Sequence, residues 1–144
     1  MKRKLSIISL VLLVMIALCG CSSTNRKSPG HLGDYEAVFL GIKTGDEENP
    51  NGLVVGYEFT NHSDKEISFE KAMNPDASQD GQVLQRIYLS DDSVEPTDVL
   101  VAPGETQVIN VTYVLANTDS IIELKLYNKE TQETYTHNVA PKLF

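Results

Sequence analysis

The chain has no tryptophan, only two cysteines among its 144 residues, and few basic residues, with 12 Lys and Arg against 20 Asp and Glu. Each shortage excludes something. Both cysteines, Cys19 and Cys21, lie near the start, so the long remainder can hold no internal disulfide, thiol nucleophile or thiolate metal site. Without a Cys pair and a Trp, an antibody-type sandwich core is also excluded. The formal net charge of −8 argues against nucleic acid as a partner, because the summed field of a protein governs its non-specific association. Helical patterning is missing too: nowhere do apolar residues recur at helical spacing over three or four turns.

What is present begins at the N-terminus. Lys2, Arg3 and Lys4 precede an almost unbroken apolar run over residues 5–18, matching the charged and apolar regions of a secretory signal. The run is too short to span a bilayer comfortably, since about 20 apolar residues are needed for roughly 30 Å of hydrocarbon. Residues 1–20 are therefore expected to be removed. The run ends in Leu18-Cys19-Gly20-Cys21, which resembles the bacterial lipobox, and a cut before Cys19 would leave Leu18 where a small residue belongs. That resemblance implies cleavage before Cys21, attachment of a diacylglyceryl group to its sulfur, and display on the outer face of the cytoplasmic membrane. Two acyl chains anchor stably where one would be marginal. Loss of the signal removes three cations and no acid, leaving 9 basic against 20 acidic residues and a mature charge of −11.

Residues 21–33, the lipidated cysteine and a polar stretch with Pro29, Gly30 and Gly33, read as a flexible tether. Residues 34–144 suit one domain, large enough to bury a core without disulfides. Alternation of period two marks strands at residues 35–43, 53–60, 66–69, 82–89, 99–101, 106–115, 121–127 and 133–139. Leu53, Val55, Tyr57 and Phe59 share one face, as do Ile109, Val111, Tyr113 and Leu115. Asp80-Gly81 predicts a two-residue hairpin of type I′, whose central residues need positive φ. The fold expected is all-β: an antiparallel sandwich of about seven or eight strands at the size of an immunoglobulin-like domain.

Several of these segments carry a resemblance. Residues 54–64 (VVGYEFTNHSD), Ser78-Gln79-Asp80-Gly81, Val101-Ala102-Pro103-Gly104 and Val111-Thr112-Tyr113-Val114-Leu115 resemble a family of immunoglobulin-like lipoproteins found mostly in Gram-positive Firmicutes, a domain of unknown function. The likeness runs from about Tyr35 to Leu126. Ser78 departs from it, since the family often has an aromatic before the glutamine of this hairpin. The resemblance implies an exposed, anchored β-sandwich and supplies no activity.

The candidate chemistry is sparse. His31, His62 and His137 stand in the tether, a turn and the last strand, at spacings that put no two on one face, whereas zinc sites draw three or four ligands at compact spacing. Ordinary surface histidines, and no cofactor, are expected. Asp46, Glu47 and Glu48 in one loop and Asp91 and Asp92 in another offer the oxygens calcium prefers, without the alternating spacing and turn glycine of an EF-hand. They are weak calcium candidates beside the ordinary reading of solvated acidic loops. Ser63 follows His62 within a turn, which does not aim one side chain at the other, and no nucleophile elbow, metalloprotease helix or phosphate loop occurs. Tyr127 and Tyr135 would make a contact patch if both faced outward from adjacent strands. The function expected is a lipid-anchored extracytoplasmic module that binds an envelope protein or peptide and is not an enzyme. Capture of cationic peptides by an immunity-type lipoprotein is the alternative, and a small hydrolase the remote one.

Overall fold

A computed structural model describes residues 30–45, 49–87 and 97–141. Cys21, most of the tether, and all five calcium candidates, Asp46, Glu47, Glu48, Asp91 and Asp92, lie outside the described residues. Along the chain run β1 (His31–Leu32), β2 (Tyr35–Thr44), β3 (Gly52–Asn61), β4 (Ile67–Ser68), α1 (Phe69–Ala72), β5 (Met73–Gln79), β6 (Gln82–Val83), β7 (Gln85–Ile87), β8 (Leu100–Val101), β9 (Thr106–Val114), β10 (Ile122–Asn128) and β11 (Thr134–Val139). The strands form a five-stranded sheet ordered β1-β2-β3-β9-β7, a four-stranded sheet ordered β11-β10-β5-β6, and a small β4-β8 pair. Every pairing is antiparallel.

The result is an all-β sandwich, and the alternation that predicted it also builds its core. Leu53, Val55, Tyr57 and Phe59 of β3 and Ile109, Val111 and Tyr113 of β9 are buried on the inner face of the larger sheet. Ile122, Leu124 and Leu126 of β10 are buried on the facing sheet, with Phe69 between the layers, edge-on to Phe59 and stacked on Tyr57. Burying such side chains contributes roughly 1.5–3 kcal/mol each.

The count of strands exceeds the expectation because short pieces pair separately. The run over residues 82–89 breaks at buried Leu84: β6 pairs with β5, while β7 crosses to the other sheet and pairs with β9. Such a corner is how one strand serves two layers. The expected strand over residues 66–69 ends early, because Ser68 caps a single helical turn by accepting a hydrogen bond from the Lys71 amide at 3.3 Å. β5 was not expected at all. Its sequence, MNPDASQ, holds little that favours strands, and Pro75 argues against one. The proline is tolerated because β6 reaches only Ser78 and Gln79, leaving β5 at Pro75 without a strand on that side among the described residues. Strand pairing also reaches into the last residues of the expected tether. Gly30 accepts a hydrogen bond from the Ala37 amide at 2.8 Å, and His31 and Leu32 pair with Glu36 and Tyr35, so the end of the expected tether is a sheet edge.

Candidate functional site

The two sheets leave an opening on one side. β1 covers only the first residues of β2, so from Val38 onward β2 has no strand on its outer side among the described residues. β11 is likewise the outer strand of the smaller sheet. These two edges lie together, with the Phe39 and His137 rings 4.5 Å apart. Past that contact a groove of about 620 Å³ runs between them, walled by Phe39, Ile42 and Lys43 on one side and Asn138, Val139 and Ala140 on the other. Its floor is apolar, since Phe39, Ile42 and Val139 are half-buried and packed on the core.

A bulge shapes the β2 wall. Register with β3 shifts between Phe39 and Gly41, and Gly41 adopts φ +148°, a value that favours glycine. The extra residue leaves Leu40 about half exposed, on the outer face of the sheet. There it borders a hollow of about 370 Å³ with Gly56 and Asn110. Val38, Val108 and Val114 are also partly exposed, and Val38 and Val108 flank Glu58 in direct register.

Polar groups inside the fold hold turns together. Asn61 donates to the Lys65 and Val101 carbonyls at 2.7 and 2.8 Å, and its Oδ1 accepts from the Ser63 amide and hydroxyl. Gln79 donates to the Asn117 and Ser120 carbonyls, and its Oε1 accepts from the Ala116 and Asn117 amides. Asn128 donates to the Leu32 carbonyl and accepts from the Glu130 and Thr131 amides. All three are buried, and burial of an amide is tolerated when its hydrogen bonds are met. Glu70 of α1 makes a two-pronged pair with Arg86 of β7, at 2.7 and 3.3 Å, and accepts from the Thr97 hydroxyl at 3.1 Å. Burial pushes the Glu70 carboxyl up, but the hydrogen bonds and charge of Arg86 outweigh it and hold the group below the usual carboxylate range.

Expected chemistry is distributed differently from the sequence reading. Ser63 spends its hydroxyl on Asn61 Oδ1 at 2.7 Å and the Lys65 carbonyl at 3.0 Å, while His62 Nε2 lies 3.5 Å from Glu36 Oε2, so the neighbours are not a catalytic pair. Tyr127 and Tyr135 make no joint patch. Tyr135 pairs with inward-facing Leu126, whereas Tyr127 pairs with Thr134, so the two rings take opposite faces, and Tyr127 donates to Gln132. The histidines are the clearest correction: the fold brings His31 and His62 together, with ring centroids 6.1 Å apart. Residues 31 apart in sequence gave no periodic signal of this. His137 lies apart from them, against Phe39 and Tyr135.

A family profile described as a domain of unknown function, DUF5067, matches residues 22–128. Among solved structures, a Bacillus subtilis protein described as a lipoprotein, ycdA, aligns with TM-score 0.58 at 10% identity, over 76% of this chain and 37% of that one. The chain thus spans little more than a third of that relative. A conserved hypothetical protein from Bacillus anthracis aligns with TM-score 0.47 at 17% identity, over 72% of this chain and 89% of that one. The archaellum periplasmic stator protein FlaG from Sulfolobus acidocaldarius aligns with TM-score 0.44 at 13% identity, over 73% and 99%. No curated protein matches the sequence. Identities this low speak to fold alone, and sandwiches host many unrelated roles.

Proposed function

The chain belongs to the DUF5067 family, and from that premise we propose that it is a lipid-anchored, non-enzymatic binding module of the Gram-positive cell surface, an immunoglobulin-like domain that takes up an extended segment of an envelope protein or peptide. The single observation that carries this reading is the groove between two strand edges. An extended polypeptide laid there meets backbone groups of the kind that pair strands. Ala37 turns its amide away from β3 toward Gly30, and by the alternation of an antiparallel ladder Phe39 turns its own backbone groups to the same side. Main-chain hydrogen bonds then supply affinity, and apolar residues of the ligand that enter between Ile42 and Val139 supply specificity. The signal and lipobox-like start support an extracytoplasmic location. Support for a non-catalytic role comes from Ser63, whose hydroxyl is committed to Asn61 Oδ1 and the Lys65 carbonyl.

The test is site-specific photocrosslinking in intact cells, with a photoreactive residue at Lys43 or Asn138 and a control at exposed Val83 on the far edge. One reproducible adduct from both groove positions and none from Val83 is expected. Equal labelling from all three would reject the groove. A second reading, capture of cationic amphipathic peptides, is favoured by the Val38-Glu58-Val108 row on the outer face. Such capture must weaken steeply with ionic strength.

A further inference from the structure

We propose that His31, Glu36 and His62 form a site for a borderline divalent transition-metal ion, of the zinc or copper class, on the strand nearest the membrane anchor. His31 and Glu36 are direct cross-strand partners, which places their side chains on one face, roughly 5 Å apart at Cβ. The third group comes from the turn after β3. The His62 amide donates to the Asp34 carbonyl at 2.9 Å, which fixes that turn beside the β1-β2 connection and sets the second imidazole next to Glu36.

The spacing suits coordination better than hydrogen bonding. His62 Nε2 and Glu36 Oε2 are 3.5 Å apart, at the outer limit for a hydrogen bond. Two donors each about 2.1 Å from one tetrahedral ion stand about 3.4 Å from each other. The His31 and His62 rings are 6.1 Å apart between centroids and tilted by 38°, so they are not stacked. Two imidazoles sharing an ion have centroids about 5–6 Å apart, so the His31 and His62 rings must close up for both to bind one ion. Among the described residues no three such groups are placed to hold an ion as they stand, so the proposed site forms only when the His31 side chain moves toward Glu36 and His62. His31 and Glu36 are half-buried and His62 is exposed, so the side chains can adjust and a fourth position stays open to solvent. Two histidines and one carboxylate are a donor set that divalent zinc accepts with water in the remaining place. Binding would fasten β1, a strand of only two residues, to the body of the domain.

The experiment is zinc titration by calorimetry on the full chain in detergent with its thiols blocked, alongside His31→Ala, His62→Ala, Glu36→Gln and His137→Ala. One ion per chain is expected, with a rise in Tm by linkage. Binding should be lost in both His31→Ala and His62→Ala, weakened about tenfold or more in Glu36→Gln, and unchanged in His137→Ala. Circular dichroism of the apo variants separates loss of a ligand from loss of fold. No saturable binding, or binding that survives either His31→Ala or His62→Ala, overturns the site.

Discussion

Tyr57 and Tyr113 stand out at the scale of single residues because their hydroxyls are buried with no partner among the described residues. Burial raises the pKa of both phenols, so they stay neutral throughout the physiological range. A buried hydroxyl left unpaired costs about 1–3 kcal/mol, whereas the ring alone keeps all its packing. Tyr57→Phe and Tyr113→Phe are therefore expected to hold or raise Tm, and a fall of several degrees in either melting curve would show that the hydroxyl is paired. Glu70 behaves oppositely. Its lowered pKa means that its pairing contributes stability above the ordinary carboxylate range, near pH 4.3, and loses it as pH falls through the lower folded value. Wild type should lose Tm more steeply than Glu70→Gln between about pH 5 and about pH 3, by a margin under about 1 kcal/mol because the pair is partly solvated. Neither role was legible in the sequence, where Tyr57 reads simply as strand and Glu70 as one acid among twenty. The same holds for Asn61, Gln79 and Asn128, which look like turn residues until each is seen to close a turn from the inside.

Elements were legible in proportion to their periodicity. β3, β9 and β10 alternate over seven or more residues, bury one face, and were expected nearly to the residue. The hairpin at Asp80-Gly81 was equally clear: φ is +50° and +76° at the two positions, as a type I′ turn requires, and Gln79 pairs with Gln82 across it. Gly81→Ala places a side chain at positive φ and should cost about 1 kcal/mol, read as a lower denaturation midpoint at unchanged slope. β5 escaped notice because its inner face is Met73, Pro75, Ala77 and Gln79, residues whose place in a strand is decided by β10 pairing beside them and not by their own preference. The corner at Leu84 escaped for a related reason, since alternation continues smoothly while the pairing partner changes. The groove follows from that same blindness. Which strands end up at an edge is a property of sheet order, and no local pattern in β2 or β11 announces it.

For the molecule as a whole, acidity sets the terms. With 20 acids against 12 bases, like-charge repulsion opposes compaction, and salt relieves it. Raising ionic strength from about 0.01 M to about 0.15 M shortens the Debye length from about 30 Å to about 8 Å and should raise Tm. An unchanged or falling Tm would mean that favourable pairs such as Glu70 and Arg86 outweigh the repulsion. The sandwich was readable from composition and alternation together, while the meeting of His31 with His62, and of β2 with β11, required the three-dimensional path. The turns closed from inside also bear on how long a molecule of this kind lasts. Asparagine ages when the next residue's backbone nitrogen attacks the side-chain amide and expels ammonia. Here the nitrogens that follow Asn51, Asn61 and Asn128 are each engaged, donating to the Asn49, Asp34 and Ala72 carbonyls at 2.9, 2.9 and 3.0 Å. Folding thus guards three asparagines against succinimide formation, including the otherwise vulnerable Asn51-Gly52 pair, and these three age chiefly in the molecule's unfolded moments.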